Sequence, residues 1–167
     1  APELIGVPTT GLVETQGCDI RMAVKNFRSQ YPQYARVAVV PVATPDFTGS
    51  LESGYALATQ AIIEWLVPAL EATGTQGGQL SPLPPRAERG TTPLQVNVLA
   101  GSHLTPGDLE HLKDLIEAFG LQPVVLPDLS DSLDGHLPEE DFNPLTLGGA
   151  SVGALATLKD AVATLVI

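Results

Sequence analysis

Thiols and cations are scarce in this chain. Cys18 is the single cysteine. No internal disulfide can form, and one thiol cannot hold an iron–sulfur cluster by itself. Cysteine poverty suits a reducing compartment. Eight Lys and Arg stand against 19 Asp and Glu, for a net charge of −11. That balance argues against a nucleic-acid partner, because phosphates are gripped by Lys and Arg. It argues equally against an anionic lipid surface. Runs of 18 or more apolar residues are missing, so no membrane span is expected. The N-terminus lacks the basic and apolar regions of a signal peptide. A cytoplasmic protein is therefore expected. The chain of 167 residues starts without Met at Ala1-Pro2 and stops within a strand-like run. Both ends suggest a fragment of a longer protein. Also missing are a G-x-G-x-x-G dinucleotide fingerprint and any repeat of 20–50 residues.

What is present alternates between strand and helix patterns. Leu4, Ile5 and Val7 form a short apolar run stopped by Pro8. Thr9-Thr10-Gly11 reads as a turn, with Gly11 free to adopt φ > 0. A helix is predicted from Asp19 to Ser29, with Ile20, Ala23, Val24 and Phe27 on one face, ended by Tyr31-Pro32. Val37 to Val42 is apolar throughout, as a parallel strand covered on both faces would be. Thr44-Pro45-Asp46-Phe47-Thr48-Gly49-Ser50 is a second strand-to-helix turn. The helix after it, Leu51 to about Leu70, has a broad apolar face built on Leu57, Ala61, Trp65 and their neighbours, so deep burial is expected. Pro68 stands where it should end.

Composition then shifts. Gly74 to Gly78 and Pro82 to Pro85 cannot be regular structure. Residues 74–93 are read as a linker or long loop between a first unit, 1–73, and a second, 94–167. Leu94 to Leu99 reads as a strand and Gly101 to Leu104 as its turn. Thr105 is an N-cap, Pro106 the first helical residue and Asp108 a first-turn carboxylate. Leu109, Leu112, Leu115, Ile116 and Phe119 form the predicted buried stripe, worth on the order of 10 kcal/mol before entropy. Gly120 fits the C′ position. Pro123 to Leu126 is the next strand, Asp128 to Pro144 a polar loop, Ser151 the N-cap of a helix to about Asp160, and Ala163 to Ile167 a last strand. An unpaired edge there predicts self-association. The fold class expected is α/β, with two Rossmann-like doubly wound units of mainly parallel strands, the second truncated.

Residue types alone single out few chemical groups. Cys18 reads as a free or structural thiol. His103, His111 and His136 lack metal-ligand spacing. Asp128, Asp131 and Asp134-Gly135 miss the calcium-loop pattern and read as a solvated turn.

Five ordered motifs carry a resemblance. Thr9-Thr10-Gly11-Leu12-Val13-Glu14-Thr15-Gln16-Gly17 matches a Thr-Thr-x-x-x-Glu-x-x-Gly turn. Thr44 to Ser50 matches a Thr-Pro-x-Phe-x-Gly-Ser loop. Asn97 to Leu99 with Leu104 to Asp108, Pro127 to Ser130 with Ser132 to His136, and Leu147 to Ser151 complete the series. Together they resemble the nitrogenase component 1 family, and within it the N-type subunits of the scaffold on which the iron–molybdenum cofactor is matured.

In the family's catalytic β subunit, the position of Gly11 is a cysteine that ligates the eight-iron P-cluster, and a serine there stands where Asp46 is here. The resemblance therefore implies an assembly scaffold with no catalytic residues in this stretch. The alternative is an oxidoreductase subunit of the nitrogenase or dark-operative protochlorophyllide reductase type. The resemblance to the scaffold implies an α2β2 complex with an E-type subunit and a [4Fe–4S] cluster shared with it, whose N-side cysteine lies upstream of Ala1 in family members. It implies an iron–molybdenum cofactor precursor held mainly by the E subunit, and dealings with the nitrogenase iron protein and a precursor donor. No metal ligand is expected in this stretch, and no cofactor bound by it alone. Gly11, Glu14, Asp46 and Phe47 would line the interface beside the small cluster, or else only shape two tight turns.

Overall fold

The computed structural model describes residues 2–67, 94–130 and 149–167. Two parallel sheets organise them. In the first, β1 (Leu4–Pro8) pairs with β2 (Ala38–Val42), with Leu4 opposite Ala38 and Pro8 opposite Val42. In the second, β3 (Leu94–Leu99) lies between β4 (Leu121–Leu126) and β5 (Ala163–Val166). Both neighbours run parallel to β3. The expected α/β class is the observed one. The 74–93 boundary and the candidates Asp131, Asp134 and His136 lie outside the described residues.

Between β1 and β2 run α1 (Gly11–Thr15), α2 (Ile20–Gln30) and a 3₁₀ turn at Pro32–Tyr34. The helix α1 was not expected, because five residues are too few to display periodicity. Asp19 caps α2 by accepting from the Met22 N–H at 2.9 Å. Of the four residues expected on one face of α2, only Val24 is buried; Ala23 and Phe27 are exposed. Helical spacing specified the stripe, but the two-stranded sheet beneath covers only its middle.

The long helix α3 is Leu51–Leu66, capped at Ser50 with Ser53 completing the box. It stops short of the predicted Leu70. Val67 is already extended (φ −87°, ψ 116°), as expected of a residue crowded by a following proline. Its burial is also less than expected. Ala61 alone is buried and Leu57 is 44% exposed. The reason is that α3 divides its apolar surface between two places. Ala58, Ala61, Ile62 and Trp65 pack with Val40 and Val42 of β2. Ile62, Ile63 and Leu66 pack with Val124 and Leu126 of the second sheet and with Leu155.

On the three-stranded sheet α4 (Pro106–Ala118) covers one face and α5 (Val152–Ala156) the other. Thr105 and Asp108 form a reciprocal capping box, with the Thr105 N–H donating to Asp108 at 2.8 Å. Leu109 and Ile116 are buried, and Leu112 packs against them. Leu115 and Phe119, also assigned to the stripe, are 50% and 75% exposed. The stabilisation expected from five buried side chains is therefore closer to that of three. Gly120 has the positive φ (72°) of a C′ residue. Buried Asn97 ties β3 to the crossover that follows α5, donating to the Leu158 carbonyl at 2.7 Å and to Thr164 Oγ1 at 3.2 Å. Asp128, read from sequence as solvated, is not. Its side chain is 6% exposed and accepts from Lys113 Nζ of α4 at 2.6 Å and from the Ser130 hydroxyl at 2.6 Å, while Lys113 also reaches Ser130. A lysine fifteen residues upstream closed that turn, a pairing that no local pattern reveals.

Candidate functional site: two locked turns at the ends of the first sheet

Parallel pairing of β1 with β2 brings their following turns together. The ladder runs one bond further, from the Thr9 N–H to the Val42 carbonyl at 2.9 Å. Thr9 and Thr44 then bind each other twice. The Thr44 N–H donates to Thr9 Oγ1 at 2.9 Å, and the Thr44 hydroxyl donates to the Thr9 carbonyl at 3.2 Å. Thr9 is 5% exposed. Its own hydroxyl donates to Glu14 Oε1 at 2.6 Å. This fixes half-buried Glu14 from α1 over the end of β1.

Three of the four predicted site residues meet one step further along. Thr10 caps α1, leaving Gly11 as its first helical residue. The Gly11 N–H donates to Asp46 Oδ1 at 3.0 Å. A carboxylate at a helix start is favoured by the free N–H groups and by the helix dipole. Gly11 is buried, and its φ is not positive. Glycine is therefore needed here for room, not for the turn conformation anticipated from sequence. A Cβ at this position would overlap the Asp46 carboxylate and lie 2.9 Å from Phe47 Cδ1. Asp46 thus occupies the space that a longer side chain at position 11 would take. Glu14, the fourth predicted residue, faces Thr9 instead. Thr9 and Thr44, passed over as ordinary turn residues, do most of the fastening. The available signal was that Thr9 directly follows β1 and Thr44 lies two residues past the end of β2.

The surroundings are apolar and open. Phe47 is 62% exposed, Leu12 67% and Leu51 76%. Beside Asp46, a cleft of about 470 Å³ is lined by Thr44, Thr48, Gly49, Ser50 and Ser53. Glu52, in the first turn of α3, is held below the usual carboxylate range by the Ser50 hydroxyl, which donates to it at 2.5 Å, and by a backbone N–H. Hydrogen bonds to the charged form have that effect.

The donor set does not suit an iron–sulfur cluster. Position 11 offers no side chain, and one Asp46 oxygen is already bonded. Cys18 is exposed in the α1–α2 connection. Among the described residues no group of three His, Cys, Asp or Glu is placed to hold a metal ion. His111 is exposed on α4, and His103 lies in the turn after β3. Among the same residues no helix is long and apolar enough to cross a membrane.

Comparison with known proteins identifies the family. Residues 1–167 match the family model "Nitrogenase component 1 type Oxidoreductase". The chain is 43% identical over 166 residues to a protein of Rippkaea orientalis named nitrogenase iron-molybdenum cofactor biosynthesis protein NifN, covering 99% of this chain and 34% of the relative. Proteins of the same name from Klebsiella pneumoniae and Bradyrhizobium diazoefficiens are 44% and 42% identical, over 89% and 94% of this chain and 29% and 30% of theirs. The chain thus spans about a third of the length of the curated relatives it matches. A solved structure described as "Nitrogenase Cp1 at pH 6.5" superposes with a TM-score of 0.75 at 27% identity, over 98% of this chain and 31% of that one. The family model's match over residues 1–167 shows that this chain belongs to the nitrogenase component 1 type oxidoreductase family.

Proposed function

We propose that this chain is part of an assembly scaffold on which the iron–molybdenum cofactor of nitrogenase is matured before transfer to the enzyme. The observation that carries this reading is the Gly11–Asp46 pair. Where a cluster-binding relative needs a thiolate, this chain has a backbone N–H satisfied by a carboxylate and no room for a side chain. Relatives at 42–44% identity that carry the biosynthesis name support it.

In this reading Gly11, Glu14, Asp46 and Phe47 shape the surface that meets an E-type subunit in an α2β2 complex. The exposed Leu12, Phe47 and Leu51 supply its apolar contacts. Aromatic and aliphatic side chains around a desolvated centre are the usual energetic core of such surfaces. A [4Fe–4S] cluster shared with the E-type subunit takes its thiolates from outside these two turns. The iron protein and a precursor donor act on the complex, in the cytoplasm. Two α/β units separated within 74–93 complete the proposal.

The test is anaerobic. The protein at its full natural length is co-purified with its E-type partner and added to cofactor-deficient nitrogenase with iron protein, molybdate, homocitrate and ATP. Activation is expected. Iron-loaded complex that fails to activate, but itself reduces acetylene, would overturn the reading in favour of an oxidoreductase subunit.

A further inference from the structure

The locked turns leave two carboxylates without a cation. Asp46 stands at the start of α1, with Oδ1 on the Gly11 N–H at 3.0 Å. Glu14 stands three residues further along the same helix, half-buried, with Oε1 taking the Thr9 hydroxyl at 2.6 Å. Neither is ion-paired. Among the described residues the salt bridges run from Arg21 to Glu64 and from Lys113 to Asp128. The remaining residues supply no excess of cations. Arg86 and Arg89 are matched by Glu71 and Glu88, and residues 131–148 contain Asp and Glu but no Lys or Arg.

Glu14 is the better placed of the two for recognition. Thr9 is buried and bonded to Thr44, so the carboxylate is mounted on the ends of both strands of the sheet. A preorganised group loses little side-chain entropy when a partner engages it. A carboxylate can accept about four hydrogen bonds. Glu14 has one from the protein, and Oε2 is left for water or a partner.

Its neighbours say when that water leaves. Leu12 lies two residues before it, and Phe47 lies against Gly11 at the start of the same helix. They are 67% and 62% exposed, so a partner that covers them also dries Glu14. Desolvating a carboxylate is unfavourable unless an opposite charge is brought to it. The covering surface must therefore be cationic at this point, with an apolar region beside it. Complementarity of this kind selects the partner and fixes its register.

Resting on the interface reading above, we propose that the E-type subunit meets this face with a Lys or Arg side chain that pairs with Glu14.

The test uses the protein at its full natural length and its E-type partner, mixed anaerobically, with affinity measured as salt is raised. Glu14→Gln keeps the size and the bond to Thr9 but removes the charge. It should weaken association about 30-fold or more and flatten its salt dependence. Glu14→Lys should weaken it further. Glu14→Met replaces Glu14→Gln should urea unfolding show a weakened fold. Phe47→Ser tests the surface itself, and should weaken association roughly 10-fold or more with the salt dependence kept. Loss with Phe47→Ser but not with Glu14→Gln would overturn the Glu14 pairing and leave the interface standing. Tighter binding by Glu14→Gln would overturn the pairing too. Wild-type affinity in both variants, or subunits that never associate, would overturn the interface reading and the pairing with it.

Discussion

Gly11→Ala tests the lock between the two turns. The added methyl overlaps the Asp46 carboxylate, so Asp46 must rotate away and release the Gly11 N–H. Asp46 is exposed as a residue, so water competes and the lost bond to a charged acceptor is worth about 1.5 kcal/mol. Shifting the turn adds about 1 kcal/mol. Alanine in place of glycine within α1 returns up to about 1 kcal/mol. Phe47 adds little, because its exposed ring can swing outward. The net expectation is about 1.5 kcal/mol of destabilisation, or a midpoint lowered by about 3–6 °C for a chain of this size.

Urea unfolding followed by fluorescence of Trp65 reads this directly. Trp65 is the single tryptophan, packs with β2, and carries the Arg28 guanidinium 5.4 Å from its ring centroid. The decisive comparison is a double-mutant cycle. Asp46→Ser removes the carboxylate and clears the space, so Gly11→Ala in that background should cost no more than about 0.5 kcal/mol. Equal cost in both backgrounds would refute the steric lock. A neutral Gly11→Ala in the wild-type background would refute the hydrogen bond as well.

Lys113→Met leaves Asp128 as a nearly buried, unpaired charge and should cost about 3 kcal/mol in denaturant unfolding, with Asp128→Asn added to it restoring part of the loss. The Asp108 carboxyl is held below its usual 3.8, first by the Thr105 backbone N–H and then by its hydroxyl. Its folded value lies below its unfolded one, so its contribution is present above pH 3.8 and fades as pH falls through the folded value. Asp108→Asn should therefore flatten the acid limb of the stability curve below about pH 4, and carboxyl-carbon NMR should show Asp108 titrating later than a free aspartate as acid is added. The strand β5 has all four residues exposed, Val166 at 79%, and lies at the sheet edge. Light scattering should show self-association with rising concentration that Val166→Lys suppresses; a monomer at all concentrations would contradict it.

Much of this architecture was legible in the sequence because local rules agreed with tertiary ones. Thr105-Pro106-x-Asp108 specified a capped helix start, Gly120 its end, and the unbroken Val37 to Val42 run a buried parallel strand, now seen as Ala38–Val42. Burial was harder to read, because periodicity says which side of a helix is apolar but not how much lies opposite. Leu115 and Phe119 of the expected buried stripe are exposed, as is Phe27 on the apolar face of α2. At the candidate site, family motifs brought Gly11, Asp46 and Phe47 into view. The bonds joining Gly11 to Asp46 and Thr9 to Thr44 span 35 residues and come from strand register, which no single-sequence pattern encodes.

The divided surface of α3 has a mechanical consequence. Ile62 belongs to the apolar clusters on both sheets, and the Val152 N–H donates to Glu3 at 3.4 Å. A peptide bond broken anywhere between residues 68 and 93 would sever the chain without separating these contacts. Two polypeptides, 1–67 and 94–167, should accordingly find each other when mixed, with the first supplying the helix that the second sheet needs as its cover.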